Sequence, residues 1–220
     1  DKNGLQFSII EDSKVHLIET KFVGKYNVLN LLGIIAAMRA CDIALKDCVE
    51  ACKSLTAVPG RMDMLVKEGQ PLVIIDYAHT PDALKQALVS LRAVADSRSG
   101  KLVCVFGCGG NRDASKRPLM ARIAEECADT VVVTADNSRN EKTESILDNI
   151  IAGFKSKEKF SVEANRGVAI AQSIKNASQN DVILIAGKGH ENYQDELGVK
   201  TYFSDKEHAW YEMTKDEVTA

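Results

Sequence analysis

The chain has 220 residues, of which 45% are hydrophobic and 27% are charged, and its formal net charge is −3 at pH 7. These values are typical of a globular protein with a substantial core, and the small negative charge argues against nucleic acid or a membrane surface as a partner. No apolar run approaches the roughly 20 residues that cross a bilayer. The six cysteines form no Cys-x-x-Cys pair, which is typical of a reduced, cytoplasmic protein without a metal site.

Two short strands followed by two helices are predicted at the start of the chain. The strands cover Leu5–Ile10 and Lys14–Glu19. Apolar residues then recur with a helical period over 28–38 and 43–55. A stretch with Gly and Pro over residues 67–71 follows. The sequence therefore predicts a linker there, and a new domain after it.

From residue 72 onward, short apolar strands alternate with helices. The strands show no polar alternation, so both of their faces are expected to be buried in a Rossmann-like α/β fold, with a mostly parallel sheet flanked by helices. A last strand and helix, over 201–203 and 205–213, would extend one edge of the sheet. The other predicted strands are Leu72–Ile75, Lys101–Phe106, Thr130–Thr134, Phe160–Val162 and Val182–Ala186.

Four polar loops follow strands of this sheet. They are Asp76–Asp82, Gly107–Pro118, Asp136–Arg139 and Gly187–Glu191. Ligands of open α/β sheets bind at the carboxyl ends of the strands. The sequence therefore predicts that these loops share one ligand-binding rim.

The second of these loops is the most informative motif. It holds three glycines within residues 107–110 and three cations, Arg112, Lys116 and Arg117, just before a predicted helix. Glycine lets backbone N–H groups approach an anion, and a helix N-terminus adds partial positive charge. A structural turn is the ordinary explanation of such glycines, but the added cations favour anion recognition.

The motifs, in their order, resemble those of the Mur ligases, the ATP-dependent amide-forming ligases of bacterial peptidoglycan synthesis. Within the family, the members that add meso-2,6-diaminopimelate are the most similar, and the resemblance covers nearly the whole chain. The family has a domain for the UDP-sugar, a central ATPase domain with a P-loop, and a C-terminal Rossmann-like domain. The matching segments are Tyr26–Asn30, Gly60–Met62, Asp76–Leu84, Gly107–Met120, Asp136–Arg139 and Gly187–Glu191.

The resemblance implies that residues 1–68 are the C-terminal portion of the P-loop-type central ATP-binding domain and 69–220 the C-terminal domain. The sequence holds no G-x-x-x-x-G-K-[ST] motif and no initiator Met. We therefore expect a piece of a longer, monomeric, cytoplasmic enzyme that is inactive alone. The implied substrates are UDP-N-acetylmuramoyl-L-alanyl-D-glutamate, meso-diaminopimelate and ATP. Mg²⁺ would be bound mainly outside this chain.

The resemblance also implies ATP contacts. The residues alone leave other roles open: Asn27 can cap a helix, Asp76 can cap a turn or bind ribose, and Lys116 can be a solvated lysine at a helix start. His79 is a candidate for a role near the γ-phosphate or for one at the entry of the next helix. The implied ATP-binding residues are Asn27, Asn30, Arg61, Asp76 and Lys116.

An amino-acid pocket is the other implied site. Arg139 has a planar guanidinium suited to a carboxylate, and diaminopimelate has a second carboxylate that lysine lacks. Gly187 and Glu191 would receive the distal ammonium. Ser138 stands where the family pattern has proline, so the loop is less restricted. The implied diaminopimelate-binding residues are Arg112, Asp136, Asn137, Arg139, Gly187 and Glu191.

Other functions remain alternatives. A Rossmann oxidoreductase domain is disfavoured because the glycines lack the G-x-G-x-x-G spacing. A Mur ligase that adds L-lysine and a folylpolyglutamate-synthetase-like ligase share the architecture. The D-N-S-R and G-K-G-H-E segments argue against the latter. Alone, the chain would serve only as a binding module.

Overall fold

The computed structural model describes residues 5–22, 24 and 26–218. The chain divides into two units between Val58 and Pro59, earlier than the boundary expected between residues 68 and 69. The difference arises because Asp63–Leu65 pairs with the first parallel strand of the second unit. The segment expected to end the first unit therefore belongs to the sheet of the second.

The first unit contains the predicted strands and helices. Strands β1 (Leu5–Glu11) and β2 (Lys14–Thr20) form an antiparallel hairpin. Helices α1 (Tyr26–Ala40) and α2 (Leu45–Ser54) follow. The buried residues of this unit's core are Ile18, Leu31, Ile35, Leu45, Cys48 and Cys52.

The second unit is built on a six-stranded sheet in the order β3-β4-β8-β5-β6-β7. All neighbouring strands are parallel except β3, which is antiparallel to β4. Every residue of β4, β5 and β8 is buried, which explains why these strands lack polar alternation. The strands are β3 (Asp63–Leu65), β4 (Leu72–Asp76), β5 (Leu102–Phe106), β6 (Thr130–Val133), β7 (Phe160–Val162) and β8 (Val182–Ala186).

Helices cover both faces of this sheet. Val73, Ile75 and the other odd-numbered core residues of β4, β5 and β8 pack with α6 and α7, and the alternate residues point to the other face. Within the described ranges, no helix is both long and apolar enough to cross a membrane. The helices are α3 (Pro81–Ser97), α4 (Lys116–Cys127), α5 (Thr143–Ile151), α6 (Arg166–Asn176) and α7 (Asp205–Val218).

The strand predicted over residues 201–203 is present in part, but its predicted place at the edge of the main sheet is wrong. Strands β9 (Tyr193–Glu196) and β10 (Val199–Tyr202) instead form a separate antiparallel hairpin. Its two-residue turn, Leu197–Gly198, has φ values of 52° and 79°, as a tight hairpin turn with two positive φ angles requires. β9 was missed because it is largely polar.

An ion pair is completely buried where α6 and α7 begin. The Arg166 and Asp205 side chains are both 0% exposed. Arg166 Nε donates to Asp205 Oδ1 at 2.7 Å, and Nη2 donates to Oδ2 at 2.8 Å. The same guanidinium donates to the carbonyls of Ala135 at 3.2 Å and Ala186 at 3.0 Å. It therefore links both helix starts to the carboxyl ends of β6 and β8.

We predict that Arg166→Met lowers the free energy of unfolding by about 3–5 kcal/mol, because it leaves the Asp205 carboxylate buried without its cation. Urea denaturation measures the loss. Arg92→Met is the matched control, since Arg92 pairs with Asp129 at 2.8 Å with both side chains at least 33% exposed, and such pairs contribute about 1 kcal/mol or less. Equal losses in the two variants would contradict the prediction.

Candidate functional site

A cleft of about 430 Å³ opens at the carboxyl ends of β4, β5, β6 and β8. Residues from all four loops predicted to share a rim line it, so that arrangement is confirmed. His79 and Lys116 are also in its wall. The cleft brings together Arg112, Asp136, Asn137, Arg139, Gly187 and Glu191, the residues expected to form the amino-acid pocket.

Two glycines of the loop after β5 allow close packing against the loop after β6. A Cβ on Gly107 would lie 2.3 Å from the Thr134 carbonyl oxygen, and one on Gly110 would lie 1.9 Å from that of Ser138. The Gly110 N–H donates to the Asn137 carbonyl at 2.9 Å. This N–H is therefore used within the protein. Close backbone contact accounts for these two glycines, and anion recognition by this loop stays a prediction.

Arg117 organises this loop from inside the protein. Its side chain is 2% exposed, and Nη2 donates to Glu141 Oε2 at 2.9 Å and to the Gly109 carbonyl at 3.3 Å. The Asn111 N–H also donates to the Glu141 carboxylate. These two donors hold the pKa of Glu141 below its ordinary value. Arg117 therefore organises the turn through the Glu141 carboxylate.

Lys116 and His79 connect the loops after β4 and β5. Lys116 Nζ donates to the His79 carbonyl at 2.7 Å. His79 Nδ1 lies 2.7 Å from the Tyr77 carbonyl oxygen, and because a carbonyl only accepts, Nδ1 carries the proton. Thr80 accepts from the Ala83 N–H and Pro81 is at the first turn of α3, so this segment also has the expected helix-entry role.

Arg139 is held in a left-handed backbone conformation, with φ of 52°. Its N–H donates to the Asp195 carbonyl at 2.9 Å, and its carbonyl accepts from the Leu197 N–H at 2.6 Å. Such a conformation is unfavourable for a residue with a side chain, and these two bonds to the β9–β10 hairpin stabilise it. Arg139 Nη1 donates to the Gly110 carbonyl at 2.9 Å. Nε and Nη2 make no hydrogen bond within the described chain.

Arg112, Asp113 and Asp136 also belong to the charged lining of the cleft. Arg112 is exposed, and its guanidinium has no ion pair or hydrogen bond among the residues that the structure describes. Asp136 Oδ1 accepts from the Asn137 N–H at 2.5 Å. A Cβ on Gly187 would lie 2.6 Å from Asp136 Oδ2, so the absence of a side chain on Gly187 makes room for this carboxylate.

Asn137 is a buried connection between three loops. It is 2% exposed, and its Oδ1 accepts from Lys188 Nζ at 3.0 Å and from the Asp195 N–H at 2.9 Å. Its Nδ2 donates to Glu191 Oε2 at 2.9 Å. Most of the Asn137 amide is thus used within the protein. Sequence reasoning missed Lys188, although it stands inside the G-K-G-H-E motif.

Asp76 caps a turn. Its Oδ2 accepts from the Met62 N–H at 2.8 Å and its Oδ1 from the Ala78 N–H at 2.9 Å. Burial raises the pKa of the Asp76 carboxyl above its ordinary value, and the two N–H donors oppose that shift. The structure thus shows the capping role, and the ribose contact stays a prediction. Nearby, the Arg61 guanidinium lies over the Tyr77 ring, 4.8 Å from its centroid.

Asn27 and Asn30 lie in the first unit, on α1. Asn30 Nδ2 donates to Asn27 Oδ1 at 3.1 Å, as expected for polar residues three apart on one helix face. Their contact with adenine stays a prediction, as do the phosphate contacts of Arg61 and Lys116.

Comparison with known proteins identifies the family of this chain. A family model described as Mur ligase, glutamate ligase domain, matches residues 60–189. The chain belongs to the Mur ligase family. A relative from Acidovorax sp. (strain JS42), named UDP-N-acetylmuramoyl-L-alanyl-D-glutamate–2,6-diaminopimelate ligase, is 52% identical over 206 residues, which are 94% of this chain and 41% of that protein. The chain thus spans less than half the length of this curated Mur ligase.

Solved structures confirm the α/β fold. A Mur ligase structure of the same printed name matches with a TM-score of 0.75 and 35% identity, over 98% of this chain and 44% of that chain. A folylpolyglutamate synthase from Thermotoga maritima matches with a TM-score of 0.63 and 20% identity, over 84% of this chain and 41% of that chain. The latter likeness shows a shared fold alone.

We predict that Gly110→Ala lowers the free energy of unfolding by about 1–3 kcal/mol or more, because the new Cβ must displace the loop carrying Ser138. Chemical denaturation gives the value. Gly33→Ala in α1 is the control, since a Cβ there meets nothing within 4 Å and alanine favours a helix by about 0.5–1 kcal/mol. Unchanged stability of Gly110→Ala would show that the loops are not packed as described.

The lowered pKa of Glu141 predicts that part of the free energy of unfolding depends on pH in the acid range. This part is fully present above the unfolded-state value of about 4.3, and it is lost as the pH falls through the lower folded-state pKa. Glu141→Gln should therefore reduce stability at pH 7 and flatten its decline below about pH 4.3. Denaturation measured across pH tests this, with exposed Glu158→Gln as control. A decline as steep as in the unsubstituted protein would contradict it.

Proposed function

We propose that this chain is the C-terminal part of a cytoplasmic, ATP-dependent ligase that adds meso-2,6-diaminopimelate to UDP-N-acetylmuramoyl-L-alanyl-D-glutamate. Its first unit would belong to the central ATP-binding domain, and its second unit would be the C-terminal domain with the amino-acid pocket. The observation that carries the proposal is that Arg139 and Arg112 line the same cleft as Asp136 and Glu191.

The charges of the cleft complement those of diaminopimelate. Each end of this amino acid carries an ammonium and a carboxylate, whereas lysine has no carboxylate at its far end. The unused N–H groups of Arg139 suit a carboxylate, because a guanidinium donates two parallel hydrogen bonds. Glu191 suits an ammonium. Pairing of this kind offsets the desolvation that both partners undergo in a cleft.

In the proposed reaction, a carboxylate oxygen of the UDP-linked precursor attacks the γ-phosphorus of ATP and ADP leaves. The amine of diaminopimelate then attacks the acyl carbon, loses a proton, and displaces inorganic phosphate. Cations must hold these anions together. Asn27, Asn30, Arg61, Asp76 and Lys116 remain the proposed ATP contacts of this chain.

The chain alone is proposed to be inactive. Its sequence has no P-loop motif, and among the described residues no group of three or more His, Cys, Asp or Glu is placed to hold a metal ion. We therefore assign no Mg²⁺ ligand to this chain. The role of its second unit would be to bind the amino acid and to close over ATP.

We predict that the full-length ligase containing this chain prefers meso-diaminopimelate to L-lysine and L-ornithine, and that Arg139→Ala removes much of this preference. Its KM for diaminopimelate should rise by the equivalent of about 2–4 kcal/mol, as for loss of one partner of a desolvated charge pair. Steady-state kinetics with each amino acid gives these values.

The control for this prediction is Arg122→Ala, which removes an exposed arginine of α4 outside the cleft and should leave both KM values unchanged. Preference of the unsubstituted enzyme for lysine would refute the proposed substrate. An equal rise of the KM for ATP and for diaminopimelate in Arg139→Ala would refute the role of Arg139.

A further inference from the structure

A buried lysine lies behind the proposed amino-acid pocket. We propose that Lys188 is a positioning residue, which fixes the Glu191 carboxylate and the Asn137 amide so that one carboxylate oxygen faces the ligand. This inference rests on the proposed function, because it assigns Lys188 to the site where the amino acid would bind. It gives Lys188 no contact with the ligand.

The Lys188 ammonium is completely enclosed. Its side chain is 0% exposed, and Nζ lies 3.0 Å from Asn137 Oδ1 and 3.4 Å from Glu191 Oε2. The Tyr193 ring centroid lies 5.4 Å from Nζ, within reach of a cation–π interaction. Glu191 is the only carboxylate that forms an ion pair with Lys188 in the described chain. The buried charge is therefore joined to a residue of the cleft wall.

These contacts determine which way the Asn137 amide points. A lysine ammonium and a backbone N–H can only donate, so the atom that meets Lys188 Nζ and the Asp195 N–H must be the amide oxygen. The amide nitrogen then faces Glu191 Oε2, which can only accept as a carboxylate. Exchange of oxygen and nitrogen would place donor against donor twice. Without the Lys188 ammonium, the Asp195 N–H is the only remaining donor to the Asn137 amide oxygen among the described residues.

The same contacts leave one oxygen of Glu191 for the ligand. Asn137 Nδ2 and Lys188 Nζ both reach Oε2, while Oε1 accepts no hydrogen bond from the described residues. The carboxylate is thus held at Oε2, and Oε1 is left to receive an ammonium. A binding group that is already held in place loses less conformational entropy when the ligand binds, so its ordering costs less free energy.

The fold gives no other reason for a charge at this position. A buried ion pair is often no more stabilising than apolar side chains of similar volume. A side chain that only filled space here would not need an ammonium. The charge matters if the Glu191 carboxylate must be held in place beside a cleft that also holds two arginines.

The test is a double-mutant cycle in the full-length enzyme, with Lys188→Met, Glu191→Gln and the double variant. Lys188→Met should raise the KM for diaminopimelate about tenfold or more and change the KM for ATP by less than about twofold. In the Glu191→Gln background, the same substitution should add less than about twofold, because residues that act as a unit are not additive. A merely structural lysine would impair both backgrounds alike.

Lys200→Met is the matched control. Lys200 Nζ also lies over the Tyr193 ring, at 4.4 Å, but Lys200 is exposed and makes no ion pair within the described chain. It should leave all KM values within about twofold of the unsubstituted enzyme. If Lys188→Met fails to fold by circular dichroism, Lys188→Gln, which keeps a donor for Asn137, takes its place in the cycle with the same expectations.

Additive effects of Lys188 and Glu191, or an equal rise in the KM for ATP, would overturn the inference. Failure of the proposed function has a different signature, because the unsubstituted enzyme would then not use diaminopimelate. The cycle is in that case run with the amino acid that the enzyme does use. Coupling between the two residues would still support the positioning role, and its absence would still exclude it.

Discussion

The buried ion pair between Arg166 and Asp205 is the interaction on which the cleft depends. A single guanidinium satisfies the carboxylate at the start of α7 and the carbonyls of Ala135 and Ala186, beside the ends of β6 and β8. Two charges can be buried this way only when their geometry is good and their other hydrogen bonds are made. A displacement of the end of β6 or β8 would break hydrogen bonds to this buried guanidinium, and it is therefore unfavourable. The loops that carry Asp136, Arg139 and Glu191 of the cleft begin near these fixed points.

Close backbone contact sets the distance between the loops. Gly107 and Gly110 let the loop after β5 meet the loop after β6 with no side chain between them. The β9–β10 hairpin holds Arg139 through two backbone hydrogen bonds. The unfavourable left-handed conformation of Arg139 is thus maintained by its surroundings. An arginine held in this way loses less freedom on binding than one on a mobile loop.

The sequence was sufficient for elements whose burial gives a local pattern. β4, β5 and β8 are continuous apolar runs, and their parallel arrangement implies that the loops after them meet. The three-residue strand β3 and the polar strand β9 carry no such pattern and were missed. Hydrogen-bond partners were harder still to predict. Asn137 pairs with side chains 51 and 54 residues away, and the local sequence pattern contains no information about such distant contacts. For the same reason, the sequence did not reveal that Gly107 and Gly110 pack against carbonyl oxygens of another loop.

The cleft keeps its opposite charges apart. Within the described chain, neither Arg112 nor Arg139 forms an ion pair with Asp136 or Glu191, and Arg139 donates to carbonyl oxygens instead. If these groups neutralised one another, a ligand with two positive and two negative groups would have to break those pairs before binding. Oε2 of Glu191 accepts hydrogen bonds from Lys188 and Asn137, which opposes movement of this carboxylate toward the guanidinium groups. Charge separation in the cleft and the proposed charge pairing with a zwitterion are therefore two consequences of one arrangement.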